Sequence, residues 1–310
     1  MKRSHLLGLI WTIIFFLLVT QTRGGVSDLI AAETATRDRS PVNIIFMVPD
    51  GLGLAAVTAA RLVRYGPEGG RLAFERLPVI GYQRTRSADS LITDSAAAAS
   101  AWACGEKFNN GEVCLHRDGS ARRPSILELA KAGGKAAGLV ATSSVTHATL
   151  AAFGAHVASR ECETEIAHQY VTASEIDVLL GGGVEHFRPS GPDPCGNGTD
   201  VLAAAAAQGY QVVFTRGELE AAGTGPGRLL GLFAPEALTP EYKRTARSLE
   251  PRLPEMTRAA LAILEEYRDG FLLLVEGSQI DWAGHDHHLQ YQVGETLAFA
   301  EAVQVVLDWL

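Results

Sequence analysis

The feature that most restricts the fold is a series of short apolar runs, each separated from the next by helix-forming stretches. The first is Val42-Asn43-Ile44-Ile45-Phe46-Met47-Val48, ended by Pro49-Asp50-Gly51-Leu52-Gly53. It is apolar on both faces and closed by a turn, which is the pattern of a buried parallel strand. Lys135 to Thr142, Ile176 to Leu180, Tyr210 to Phe214 and Phe271 to Val275 read as further strands. Helices are predicted over Ser125 to Ala132, Val201 to Ala207 and Pro254 to Tyr267. The alternation predicts an α/β fold with a mainly parallel central sheet and helices on both faces. Such sheets bind ligands at the carboxyl ends of their strands, which is where Asp50 falls.

Thr93-Asp94-Ser95-Ala96 precedes an alanine run, Ala96-Ala97-Ala98-Ala99-Ser100-Ala101. Alanine is the strongest helix former, so Ser95 sits at a helix N-terminus. Free backbone N–H groups and the helix dipole favour negative charge there, so a serine nucleophile and a phosphate can be held side by side. The plainer reading makes Asp94 or Ser95 only a helix cap.

Two more stretches leave strand ends. Val275-Glu276-Gly277-Ser278-Gln279-Ile280-Asp281-Trp282-Ala283-Gly284-His285 carries two acids and a histidine. If helical, Asp281 and His285 lie one turn apart on one face. Zinc takes such a mixture, whereas magnesium prefers oxygen donors. Asp286, His287 and His288 read as a solvated loop. Thr142-Ser143-Ser144-Val145-Thr146-His147-Ala148-Thr149 follows another strand, and a threonine hydroxyl can ligate magnesium. Arg160, just beyond, offers a planar fork for two phosphate oxygens. Alone, these are a hydroxyl-filled turn and a surface arginine.

The chain has 310 residues and a formal net charge of -8, so it exerts no general pull on nucleic acid. Any anionic substrate needs a local cationic site. The start, Lys2 and Arg3 followed by an apolar run from Leu6 to Val19, reads as a signal peptide within 1–32, with a membrane anchor as the alternative. A polar linker, 33–40, follows. Four cysteines suit two disulfides in an exported protein, periplasmic or extracellular. Their order suggests Cys104–Cys114 and Cys162–Cys195 without fixing the pairing. The helix begun near Gly294 reaches Trp309-Leu310 without a stop signal, which suggests a fragment incomplete at the C-terminus.

Asp50-Gly51-Leu52-Gly53, Thr93-Asp94-Ser95-Ala96, Thr146-His147-Ala148-Thr149, Ala158-Ser159-Arg160 and the stretch from Val275 to His285 together resemble alkaline phosphatase, in this order and at similar spacing. The resemblance implies a catalytic domain over 41–310 and hydrolysis of phosphate monoesters, with no specificity for nucleic acid. It implies a phosphoserine at Ser95, two zinc ions, one magnesium ion and a homodimer. Arg160 would hold phosphoryl oxygens, and Asp50 would bridge a zinc and the magnesium. Thr149 and Glu276 would complete the magnesium site with His147 close by, and Asp281 and His285 would hold the other zinc. The remaining zinc ligands of the family have no match here, so a non-catalytic metal- or phosphate-binding fragment is one alternative. A related metal-dependent phosphodiesterase is another.

Overall fold

The structure, a computed structural model, describes residues 43–120, 123–189, 195, 198–223, 225 and 227–310. The expected signal peptide and linker lie outside the described residues. In chain order the main elements are β1 (Ile44–Val48), α1 (Leu54–Tyr65), α2 (Ser95–Cys104), α3 (Ile126–Ala132), β2 (Ala136–Ser144), α4 (Ala148–Gly154) and α5 (Glu163–Thr172). There follow β3 (Val178–Gly182), α6 (Val201–Ala207), β4 (Tyr210–Val213), α7 (Arg216–Ala221), β5 (Arg228–Leu232), α8 (Leu253–Leu264), β6 (Phe271–Glu276), α9 (Gln279–His285) and α10 (Leu289–Trp309).

The six strands form one sheet in the order β1-β6-β2-β3-β5-β4, and every neighbouring pair is parallel. Side chains alternate across it, and both faces are apolar. Leu272 and Leu274 pack on one side with the buried alanines of α2, α4 and α5. Phe271, Leu273 and Val275 pack on the other with α8 and α10. Each fully buried leucine of this kind contributes about 2 kcal/mol by leaving water, which is why the central strands have no polar face. Helices therefore cover both faces, as the alternating pattern predicts.

β5 is the strand that periodicity missed. Its sequence, Arg-Leu-Leu-Gly-Leu, is short, contains a glycine and follows a glycine-rich stretch. Helix α8 ends at Leu264, three residues before the predicted end. Cys162 and Cys195 are joined by a disulfide. Cys104 and Cys114, the other pair that cysteine order suggests, are two buried thiols that this structure leaves unbonded.

The register places the functional stretches. Val48 and Ala141 both lie opposite Glu276, so β1, β2 and β6 reach the same edge together. Asp50, Glu276 and the loop after Ser144 consequently leave the sheet side by side.

Candidate active site

Asp94 is the cap of α2: its Oδ1 accepts from Ala97 N at 2.9 Å. That arrangement leaves the neighbouring hydroxyl free of capping duty. Ser95 Oγ instead donates to Asp50 Oδ2 at 2.7 Å, across from β1. The alanines behind it explain the position. Ala96, Ala97, Ala99 and Ala103 are buried, and α2 packs on α4, every residue of which is buried.

The other oxygen of Asp94 accepts from Gly111 N at 2.9 Å and from Arg160 Nη1 at 3.2 Å. Arg160 Nη2 donates to His147 Nε2 at 2.8 Å. Arginine can only donate, so the His147 proton sits on Nδ1, which is buried without a hydrogen-bond partner. Burial and the adjacent Arg160 charge push the His147 pKa down to about 3, so the ring is neutral. His147 thus faces the guanidinium and meets Trp282 edge-on, with ring centroids 5.6 Å apart.

Glu276 is fully buried at the end of β6. Ser278 Oγ donates to its Oε2 at 2.7 Å, while Oε1 has no hydrogen-bond partner. Burial and the charge of Asp50 push its pKa up to about 8, partly offset by the hydroxyls of Thr149 and Ser278 and the charge of Arg160. Asp50 is also raised, chiefly by burial and then by Asp281, against the hydrogen bond from Ser95. A buried acid with an orphaned oxygen and a half-buried one, which resist ionising beside each other, form a place where a hard cation relieves the repulsion. Asp50, Thr149 and Glu276 supply oxygen donors only, which suits magnesium.

Asp281 and His285 lie on one face of α9, with His285 Nε2 3.4 Å from Asp281 Oδ2. Asp286 and His287 are exposed. His288 caps α10 by accepting from Tyr291 N at 3.1 Å, so the run after His285 is occupied or solvated as expected. Among the described residues no group of three or more histidine, cysteine, aspartate or glutamate side chains is arranged to hold a metal. The two donors of α9 fall short of the three protein ligands that a catalytic zinc takes.

A cavity of about 870 Å³ joins these parts, with Asp50, Ser95, His147, Arg160, Asp281 and His285 in its wall. Glu276 and Thr149 lie beneath it, buried. Sequence reasoning missed Asn110, Trp102 and Lys107, which also line the cavity. Asn110 carries no motif. Its role appears only in space, where Oδ1 accepts from Asp94 N at 3.1 Å and Nδ2 donates to Ile92 O at 3.0 Å.

One edge of a parallel α/β sheet thus brings together a serine at a helix mouth, an arginine fork and two crowded acids. The family model for alkaline phosphatase matches residues 42–310, and the chain belongs to that family. It is 40% identical to streptomycin-6-phosphate phosphatase of Streptomyces griseus, over 90% of this chain and 73% of that protein. It is 40% identical to the repressible alkaline phosphatase of Saccharomyces cerevisiae, over 86% of this chain and 51% of the relative. The crystal structure of Thermus thermophilus alkaline phosphatase superposes with a TM-score of 0.80 at 38% identity, covering 88% of this chain and 57% of that one. The chain thus spans between half and three quarters of the length of these relatives.

Proposed function

We propose that this protein hydrolyses phosphate monoesters through a phosphoserine at Ser95, with two zinc ions and one magnesium ion as cofactors. The observation that carries the reading is the 2.7 Å hydrogen bond from Ser95 Oγ to Asp50 Oδ2, made at the mouth of α2 in the same cavity wall as Arg160. Arg160, anchored by Asp94, meets two phosphoryl oxygens, and the free N–H groups at the start of α2 meet the third. The Ser95 proton is directed at Asp50, so the oxygen's lone pairs are left for phosphorus. Attack forms the Ser95–phosphorus bond and breaks the ester bond, and the departing alcohol takes up a proton. Water then cleaves the phosphoserine, releasing phosphate and returning the hydroxyl. The chain supplies placement and charge, which is most of what phosphoryl transfer asks of a protein.

Asp50, Thr149 and Glu276 would hold magnesium. Asp281 and His285 would hold one zinc, and Asp50 would reach the other. Bound metal ions supply charge cancellation and lower the pKa of a hydroxyl or water. The magnesium set fits the orphaned, crowded acids. The zinc set has too few donors among the described residues, so no step is drawn through zinc. That shortage favours a second reading, a metal- or phosphate-binding chain without ordinary turnover. Export to the periplasm or outside the cell and assembly as a homodimer belong to the same proposal. The signal-like start and the Cys162–Cys195 bond support export.

The test is turnover by purified protein, with zinc and magnesium added, of a monoester, a diester and a sulfate ester. Hydrolysis of the monoester alone is expected. Preferred diester or sulfate hydrolysis contradicts the proposal, and retained magnesium with no tight zinc and no turnover supports the second reading.

A further inference from the structure

Cys104 ends α2, the helix that begins with Ser95, and Cys114 ends the segment that positions Asp94 and Arg160. Their sulfurs lie 2.6 Å apart, and both side chains are buried. Several independent contacts hold them there. Ser100, one turn before Cys104, donates Oγ to Glu112 O at 3.3 Å and accepts from Cys114 N at 2.9 Å. Val113 N and O each bond Val157, at 3.1 and 3.0 Å. Cys114 itself has φ +47°, a left-handed conformation that a cysteine keeps only where its surroundings impose it.

Between the two cysteines lies the strap that ties the site together. Gly111 N donates to Asp94 Oδ2 at 2.9 Å, and Gly111 O accepts from Arg160 N at 2.8 Å. Asn110 bonds the peptide groups on both sides of Thr93. Slack in the strap would move the serine's helix and the arginine together.

We propose that Cys104 and Cys114 form a modification site: a second intrachain disulfide that fastens the far end of α2 to this strap. The bond forms by thiol–disulfide exchange with an external disulfide, small-molecule or protein. The thiolate of one cysteine attacks a sulfur of that disulfide, giving a mixed disulfide and releasing one thiolate. The second cysteine, losing its proton, attacks the first cysteine's sulfur and expels the other thiolate. The two cysteines are oxidised by two electrons, and the external disulfide is reduced to two thiols. Both sulfurs are out of reach once α2 has docked. The hydrogen bond with Cys104, and then burial, also raise the Cys114 thiol far above its ordinary range. Exchange therefore belongs to folding, after which the bond is shielded. The crosslink stands apart from the phosphatase reading, and only its consequence for Ser95 rests on that reading.

A peptide map decides it. Protein purified without reductant is unfolded in guanidinium containing excess N-ethylmaleimide at mildly acidic pH, where thiols are alkylated and disulfide exchange is slow, and is then digested with trypsin. Cleavage after Arg86, Lys107 and Arg117 puts Cys104 in peptide 87–107 and Cys114 in peptide 108–117. Cys162 and Cys195 fall in one peptide, 161–216, because proline follows Arg188. The expected result is 87–107 linked to 108–117, with neither alkylated. Both peptides alkylated, or either linked to 161–216, overturns the proposal. The double variant C104A/C114A measures the fastening: its Tm should fall by about 5 °C, from the loop-closure entropy of a short loop in a domain of this size. A double variant that melts with the wild type overturns the fastening role.

Discussion

Gly51 and Asp281 meet backbone to backbone: a Cβ built on Gly51 would fall 2.5 Å from the Asp281 Cα. Gly51 also has φ +70°. The contact brings the turn carrying Asp50 against the helix carrying Asp281, so a side chain here would push these acidic groups away from each other. Gly51→Ala is expected to cost at least about 1–2 kcal/mol from the left-handed backbone alone, with the steric clash added. Urea denaturation measures it. A variant as stable as the wild type would show that the two segments do not approach so closely.

Asp94 holds three groups with one carboxylate: Ala97 N, Gly111 N and Arg160 Nη1. Asp94→Ala should lose about 1 kcal/mol of cap stabilisation and leave Arg160 without its carboxylate partner. Asp94→Asn keeps a cap oxygen but loses the charge, so it should retain most of the stability. Inhibition by inorganic phosphate should change in both variants. Unchanged inhibition with lowered stability would reduce Asp94 to a cap.

Glu276 predicts a magnesium-dependent pH response. Its folded pKa, about 8, lies above the ordinary 4.5, so the cation-free folded state binds the extra proton. Stability should then fall as pH rises from about 4.5 to about 8, and level off above. Magnesium should raise Tm most at the alkaline end. Glu276→Gln should lessen the loss of stability toward pH 8, leaving the part due to other raised acids, and abolish the magnesium shift. A magnesium shift that persists in the variant places the ion elsewhere.

Glu295 offers a second acid, away from the cavity. It is buried on α10, where its Oε1 accepts from Glu241 N at 2.7 Å. Burial pushes its pKa up to about 7, opposed by that hydrogen bond and by Arg244 and Arg252, with Glu241 adding to the rise. Because the folded form holds its proton longer, ionisation opposes folding between about pH 4.5 and 7. Glu295→Gln should therefore match the wild type near pH 4.5 and exceed it by up to about 3 kcal/mol above pH 7. Chemical denaturation at the two pH values distinguishes this from a constant difference, which would point to packing instead.

How much of this was legible in the residues differs by kind. β1, β2 and β6 were legible because each opens on an unbroken apolar run; β2 and β6 are buried on both faces, and β1, at the sheet edge, is mostly half-buried. β5 was not, because five residues interrupted by a glycine carry too little pattern. Asp281 and His285 fall on one helical face as the spacing requires. The choice between nucleophile and cap at Ser95 needed coordinates, since only they show Asp94 taking the cap and Asp50 taking the hydroxyl. His147 was expected beside the magnesium ligands. It bonds Arg160, a partner thirteen positions away that no local signal names. Asn110 was invisible for the same reason, as its contacts join segments about sixteen and eighteen residues distant.

The central claim is that Ser95 becomes the phosphoryl carrier. The direct measurement is an acid quench of the protein incubated with zinc, magnesium and a phosphate monoester, followed by reduction, trypsin digestion and mass spectrometry of peptide 87–107. The account predicts one phosphoryl group on Ser95 and none in Ser95→Ala. A phosphoryl group on another residue, or one that survives in Ser95→Ala, contradicts it.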